Sequence, residues 1–287
     1  MPLPTLFVHD RGQMCNNILQ FGHIHAWATE HGVRAVSVRF AYKYRYFAIC
    51  HTPWHNFATY AAAKLARALR LLPTVDFDIE TPATEADMSA LLGRHRCAWV
   101  DGWQVHFHDL FAKHRADICR LFAFVPEVEQ AAQLRMMPWL TRKDCVCLGV
   151  HVRRGDYARF LGGRYFYDDA TMQRLIREFA ALHTGRSVVA FVCGNDPALE
   201  RDAYRRAVPG VTFVFPGGSP GEDLCLLSHC HWLIGPPSTF SLVAAMYRDV
   251  PLCWVRSADM PVTAEAFSTF DRLFRQISET FGAPRKW

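Results

Sequence analysis

The sequence lacks most of the short patterns that fix a chemistry on sight. Its ten cysteines include no CxxC pair. Several, among them Cys145, Cys147, Cys193 and Cys253, lie inside apolar stretches, where a free thiol behaves as a small hydrophobe. This usage predicts a reducing, cytoplasmic setting without a disulfide framework. No Walker A loop and no G-x-G-x-x-G occurs, which sets aside P-loop kinases and dinucleotide oxidoreductases. No run of about 18 apolar residues is present, so no membrane span is expected. The opening "MPLPTLFVHDRG" lacks the basic n-region and long apolar h-region of a signal peptide. Nor is there a dense Lys/Arg stripe: the net charge is only +5, too little for a dedicated nucleic-acid binder.

What is present is a globular, phosphate-friendly composition. Hydrophobic residues make up 51% of the 287 and aromatics 13%, enough for a sizeable core and against disorder. The length suits two domains or one large one. The basic residues are mostly arginine, whose planar fork suits bidentate contacts to phosphate.

Strand-like and helix-like segments alternate along the chain. "TLFVHD", "VRAVSVRF", "DFDIETP" and "CAWVDGW" read as strands, and "NNILQFGHIHAWATEHG", closed by Gly32, as a helix between the first two. "FATYAAAKLARALRLL" and "HDLFAKHRADICRLFAF" read as further helices. "MMPWLTRKD" breaks the pattern and reads as a linker near 136–144. The strands of the second half are "CVCLGVHV", "SVVAFVCGND", "VTFVF", "WLIG" and "PLCWV". The helices between them begin near Asp168 or Asp169, Pro197, Gly221 and Pro237. This alternation predicts an α/β fold with parallel sheets and a division into residues 1–141 and 142–287.

Ligands of such sheets bind at the carboxyl ends of the strands. Three polar clusters are predicted there: His151, Arg153, Arg154 and Asp156; Asn195 and Asp196; and Ser238, Thr239 and Ser241. Ser238 and Thr239 open a helix, where free N–H groups hold anions. Two arginines facing a helix N-terminus suit a diphosphate better than a lone carboxylate. Taken singly, each feature also has an ordinary use, as a surface ion pair or a helix cap. "RGD" at 154–156 carries no adhesive meaning in a cytoplasmic protein. The pairs His23/His25 and His106/His108 lack a completing ligand, and Cys225 and His229, though on one helix face, read as core packing. No metal is expected.

"HVRRGDY" at 151–157 resembles the HxRRGDY signature of the α-1,2-fucosyltransferases. Three more stretches agree in order. "RGQMCNNILQFGHIHAWATEHG" resembles the family's N-terminal segment at Gly12, Asn16, Gln20 and Phe21. "FVCGND" resembles a strand end. "EDLCLLSHCHWLIGPPSTFSLVAAMY" resembles a long block, with matches including Asp223, Leu224, Ser228, Cys230, Ser238, Phe240 and Ser241. Cys15, Asn195, Pro237 and Leu242–Val243 depart from the pattern, and bear on acceptor and linkage more than on the donor.

The resemblance implies a GT-B-like fold, with two Rossmann-like parallel-sheet halves and an interdomain cleft. The first half would bind acceptor, with Gly12, Asn16 and Gln20 at the cleft. The second would bind donor through His151, Arg153, Arg154, Asn195, Asp196, Asp223, Ser238, Thr239 and Phe240. The implied activity is an inverting, metal-independent transfer of fucose from GDP-β-L-fucose, a co-substrate, to a galactose 2-hydroxyl. Arg153 would contact the β-phosphate and Arg154 would pair with Asp156 or shape the loop. His151 would orient Asp156 or the strand end; the sequence does not identify the base, for which Asp156 and Asp10, at strand ends, are candidates. A galactose-containing oligosaccharide or lipid-linked glycan would be the acceptor, with at most peripheral membrane association. A transferase for another nucleotide sugar or linkage, or an inactive GDP-sugar-binding protein, remains open.

Overall fold

The computed structural model describes residues 3–194, 196 and 199–277. The chain divides into two compact units, the second beginning at Pro126.

The first unit runs β1 (Thr5–His9), α1 (Met14–Glu30), β2 (Arg34–Ser37), α2 (Phe57–Ala68), β3 (Thr74–Asp76), α3 (Phe77–Glu80), α4 (Glu85–Gly93), β4 (Cys97–Asp101), α5 (His108–Lys113) and α6 (Arg115–Leu121). Its four strands are parallel in the order β2-β1-β4-β3. Gly32, at φ +63, stops α1 in the left-handed conformation that glycine adopts cheaply. The segment "DFDIETP", expected as a strand, ends as one at Asp76. There the Asp76 carboxylate accepts the Asp78 amide at 3.0 Å and caps α3 instead. The expected single helix over 108–124 is two, broken at His114. Helix α4 has a written signal that periodicity obscured: Thr84 and Asp87 form a reciprocal capping box.

The second unit runs α7 (Pro126–Leu140), β5 (Cys145–Val152), α8 (Asp169–Leu182), β6 (Ser187–Gly194), α9 (Arg201–Ala207), β7 (Val211–Val214), α10 (Pro220–Ser228), β8 (Trp232–Gly235), α11 (Thr239–Arg248), β9 (Leu252–Trp254) and α12 (Phe270–Arg275). The sheet is parallel throughout, in the order β7-β6-β5-β8-β9. The boundary therefore falls at 125/126 and not at 141/142. The segment "MMPWL", expected in a linker, is the last turn of α7, carries Pro138 inside the helix, and belongs with the second unit because α7 packs on α10. Pro197, expected to open α9, lies outside the described residues.

All eight residues of β5 are buried, as a central parallel strand requires. Val146, Leu148, Val150 and Val152 share a core with Val188, Ala190, Val192 and Phe179. Burying each such side chain is worth about 1.5–3 kcal/mol against leaving it exposed. From β5 the chain passes to β6 and β7 on one side, then returns by α10 to β8 and β9 on the other. This reversal at the carboxyl ends of β5 and β8 is a topological switch point, the place where open parallel sheets bind their ligands.

Candidate functional site

Arg153 and Arg154 leave β5 at that switch point. Consecutive residues at a strand end point to opposite faces, so the two have different surroundings. Arg153 reaches an Asp156 carboxylate oxygen at 2.8 Å, and its guanidinium carbon stands 5.3 Å from the centre of the Tyr157 ring. Its Nε is buried with no hydrogen-bond partner. Arg154 is only 9% exposed. It donates to Asp196 at 2.9 Å, to Asp169, and to the Tyr167 carbonyl at 3.2 Å. The Tyr204 hydroxyl donates to the same Asp169 at 2.8 Å. The expected pairing of Arg154 with Asp156 is thus corrected: Asp156 belongs to Arg153, and Arg154 is a buried post holding three segments together.

The rest of "RRGDY" builds the turn. Gly155 takes φ +54, and residues 155–158 form a 3₁₀ turn. Its Tyr157 hydroxyl donates 2.8 Å to the Pro237 carbonyl, tying the turn to the loop after β8. His151 lies against the Phe240 ring at 5.0 Å and makes no contact with Asp156; Arg153 orients that carboxylate instead. Burial, reinforced by the Arg153 charge, pushes the imidazole pKa down to about 3, and its Nδ1 has no partner. Gly235 permits this closeness, because a Cβ there would stand 2.9 Å from the His151 Cβ.

Ser238 caps α11, its hydroxyl accepting the Phe240 amide at 3.2 Å, and Thr239 follows as the first helical residue. The positive end of the helix dipole therefore opens directly after β8. Asp223 lies in the first turn of α10. Burial pushes its carboxyl up to about 6, against the pull of the Gly218 amide and Arg135, and its Oδ1 is buried without a partner. Asp196 is committed to Arg154, and Asn195 lies outside the described residues. The pattern G-x-S-x-G does occur, at 217–221, but Ser219 is no nucleophile: it forms a capping box with Glu222 at the start of α10.

The first unit has its own polar edge. Gly12 takes φ +83, and a Cβ on it would meet the Asn16 side-chain nitrogen at 2.3 Å. Gln20 accepts the Arg11 amide at 3.2 Å and donates to the Arg11 carbonyl at 2.7 Å. Gly12, Asn16 and Gln20 thus shape the turn from β1 into α1. Asp10, 1% exposed, accepts the Ser37 hydroxyl at 2.9 Å, and burial raises its pKa well above the usual carboxylate value. Sequence patterns gave no hint of Asp101. Burial works to raise its pKa, but His9, Arg11 and Trp99 outweigh it and hold the carboxyl at about 2. Arg67 adds a further ion pair at 3.3 Å. Apart from Trp99, the partners of Asp101 come from distant positions, so only folding shows the cluster. The same holds for Asp169 and Tyr204 beneath Arg154.

The chain spans about half the length of the curated relatives it matches, and they are similar as follows. The galactoside 2-alpha-L-fucosyltransferase SEC1 of Bos taurus is 30% identical over 172 residues, 58% of this chain and 44% of that protein. The galactoside alpha-(1,2)-fucosyltransferase 2 of Sus scrofa is 30% identical over 172 residues, covering 58% and 47%. Among solved structures, a mutant of Arabidopsis thaliana FUT1 in complex with GDP superposes with a TM-score of 0.61 at 11% identity, over 93% of this chain and 74% of that one. NodZ alpha-1,6-fucosyltransferase co-crystallised with GDP gives 0.55 at 16%, over 87% and 93%. These likenesses, with the two parallel sheets, establish a GT-B-like fold. The sequence matches the glycosyl transferase family 11 profile over residues 102–249, a stretch holding β5 and the whole switch point, and the chain belongs to that family.

Proposed function

We propose that this chain transfers L-fucose from GDP-β-L-fucose to the 2-hydroxyl of a galactose, with inversion, giving an α-1,2 link. The observation that carries this reading is Arg153, a cation at the switch point of a parallel sheet with a buried Nε that no protein atom answers. Buried donors without partners cost about 1–3 kcal/mol each and gather where a ligand supplies the missing acceptor. The names of the relatives and the GDP-bound neighbours support the donor and the galactoside acceptor.

In the reaction the bond from the sugar's anomeric carbon to the phosphate oxygen breaks, and its electron pair leaves with GDP. The acceptor oxygen bonds to the opposite face of that carbon and loses its proton to a carboxylate. Negative charge grows on the diphosphate as the bond stretches. Arg153 and the opening turn of α11 stabilise that charge more in the transition state than in the ground state. A fixed guanidinium supplies the charge that a divalent ion would otherwise bring, so the transfer needs no metal. Asp156, 60% exposed, is freed when the diphosphate takes the Arg153 donors, and turns from the leaving-group side to the acceptor hydroxyl to serve as base. Asp10, 1% exposed, is too enclosed to meet an acceptor hydroxyl. The acceptor is a galactose-terminated surface glycan, such as a lipopolysaccharide side chain, free or lipid-linked, modified at the cytoplasmic side with at most peripheral membrane contact.

The test is Arg153→Ala. It should keep the wild-type melting temperature and lose roughly 100-fold or more in kcat/KM, the scale of removing one oxyanion donor. Normal turnover would sink the mechanism. Transfer should persist in EDTA at temperatures where the metal-free protein is folded. A melting shift with UDP but none with GDP would instead favour another nucleotide sugar.

A further inference from the structure

We propose that Glu129, Cys225 and His229 form a binding site for a divalent transition ion of the zinc class. Cys225 lies on α10 and His229, four residues on, is its C-cap, while Glu129 comes from the first turn of α7. Their ligand atoms lie within 4.8 Å of one another, the one such group among the described residues. The Cys225 Sγ is 3.1 Å from one Glu129 oxygen, and the His229 Nε2 is 2.8 Å from the other. Tetrahedral zinc with bonds of about 2.0–2.3 Å needs donor separations of about 3.3–3.6 Å. The carboxylate oxygens stand slightly closer than that to their partners, and must move outward to admit the ion.

Without an ion the triad is poorly satisfied. The His229 Nε2 faces both the Glu129 carboxylate at 2.8 Å and the Arg248 guanidinium at 3.1 Å. One ring nitrogen donates or accepts, so a neutral imidazole answers only one of them. A metal ion answers both demands: the nitrogen lone pair and the carboxylate turn to the ion. Arg248, whose side chain is 56% exposed, swings into solvent. In the unloaded state that guanidinium is a surrogate cation. Zinc-class ions bind cysteine as the thiolate, so binding the ion expels the Cys225 proton. The proposal does not depend on fucosyl transfer. The bound ion would clamp α7 to α10 and take no part in the reaction.

The test is titration of chelator-stripped protein with Co²⁺. One equivalent should bind with a near-ultraviolet thiolate-to-cobalt band, release one proton, yield to Zn²⁺, and raise the melting temperature. Glu129→Gln and His229→Gln should melt like the wild type in EDTA and bind Co²⁺ roughly tenfold or more weakly, and Cys225→Ser should lose the band. Absence of the band at one equivalent, its persistence in Cys225→Ser, or unchanged binding in both amide variants would overturn the site.

Discussion

Two adjacent arginines with the same formal charge do different work because Arg154 is enclosed by two carboxylates, while Arg153 has one exposed carboxylate partner and a buried Nε without one. Arg154 is enclosed with Asp169 and Asp196, and the Tyr204 hydroxyl completes the network. Removing one partner of such a buried group leaves the remaining charges uncompensated, at a cost of about 3–5 kcal/mol. Arg154→Ala should therefore lower the urea midpoint sharply, while Arg153→Ala should stay within about 1 kcal/mol of wild type, because its one ion pair is to an exposed carboxylate. Equal destabilisation of the two variants would show that the division of roles is wrong. Arg154→Lys should recover only part of the loss, since an ammonium cannot span two carboxylates and a carbonyl in one plane.

At the scale of elements, the crevice depends on how closely β5 and β8 approach. Gly235 ends β8 with the His151 Cβ and carbonyl oxygen 2.9 and 3.0 Å from where its own Cβ would stand. Gly235→Ala should push the strands apart, cost about 1–3 kcal/mol of stability, and weaken the proposed GDP binding by displacing the entry of α11. Isothermal titration with GDP on a variant shown to be folded separates the two effects. Unchanged GDP affinity would mean that strand spacing does not set the anion site. Tyr157 works on the same gap from the other side, since its hydrogen bond to the Pro237 carbonyl ties the arginine turn to the entry of α11.

The whole molecule carries a pH dependence written by its buried histidines. Burial pushes His151 down to about 3, His55 and His106 to about 4, and His23 well below its usual value. With folded pKa values below the unfolded 6.5, the stabilisation is complete above that pH and is lost as pH falls towards 4. Across that range the unfolded chain takes up protons that the fold refuses. Each histidine contributes up to about 1.4 kcal/mol per pH unit. Asp10 and Asp223 act in the opposite sense, because burial raises their pKa values. Four histidines against two carboxyls leave the histidines dominant. Urea denaturation at pH 7.5, 6 and 5 should show a falling midpoint, and a flat or rising one would refute this balance. Among the described residues no helix is long and apolar enough to cross a membrane.

The alternation of strand and helix, the parallel sheets and the motif that leaves β5 at the switch point were legible in the chain before folding. These follow from local periodicity and from residues close together in the chain, such as Arg153 through Tyr157. Sequence patterns misread what depends on competition between local options. The Asp76 cap turned a strand-like "DFDIE" into helix α3, and α7 absorbed "MMPWL" because packing on α10 outweighed the proline. Folding alone fixed that Arg154 is held by Asp169 and Asp196, that His151 rests on Phe240, and that Glu129 meets Cys225 and His229. Each of those contacts joins residues far apart in the chain. Sequence spacing carries no distance information about such pairs until the sheets bring them together.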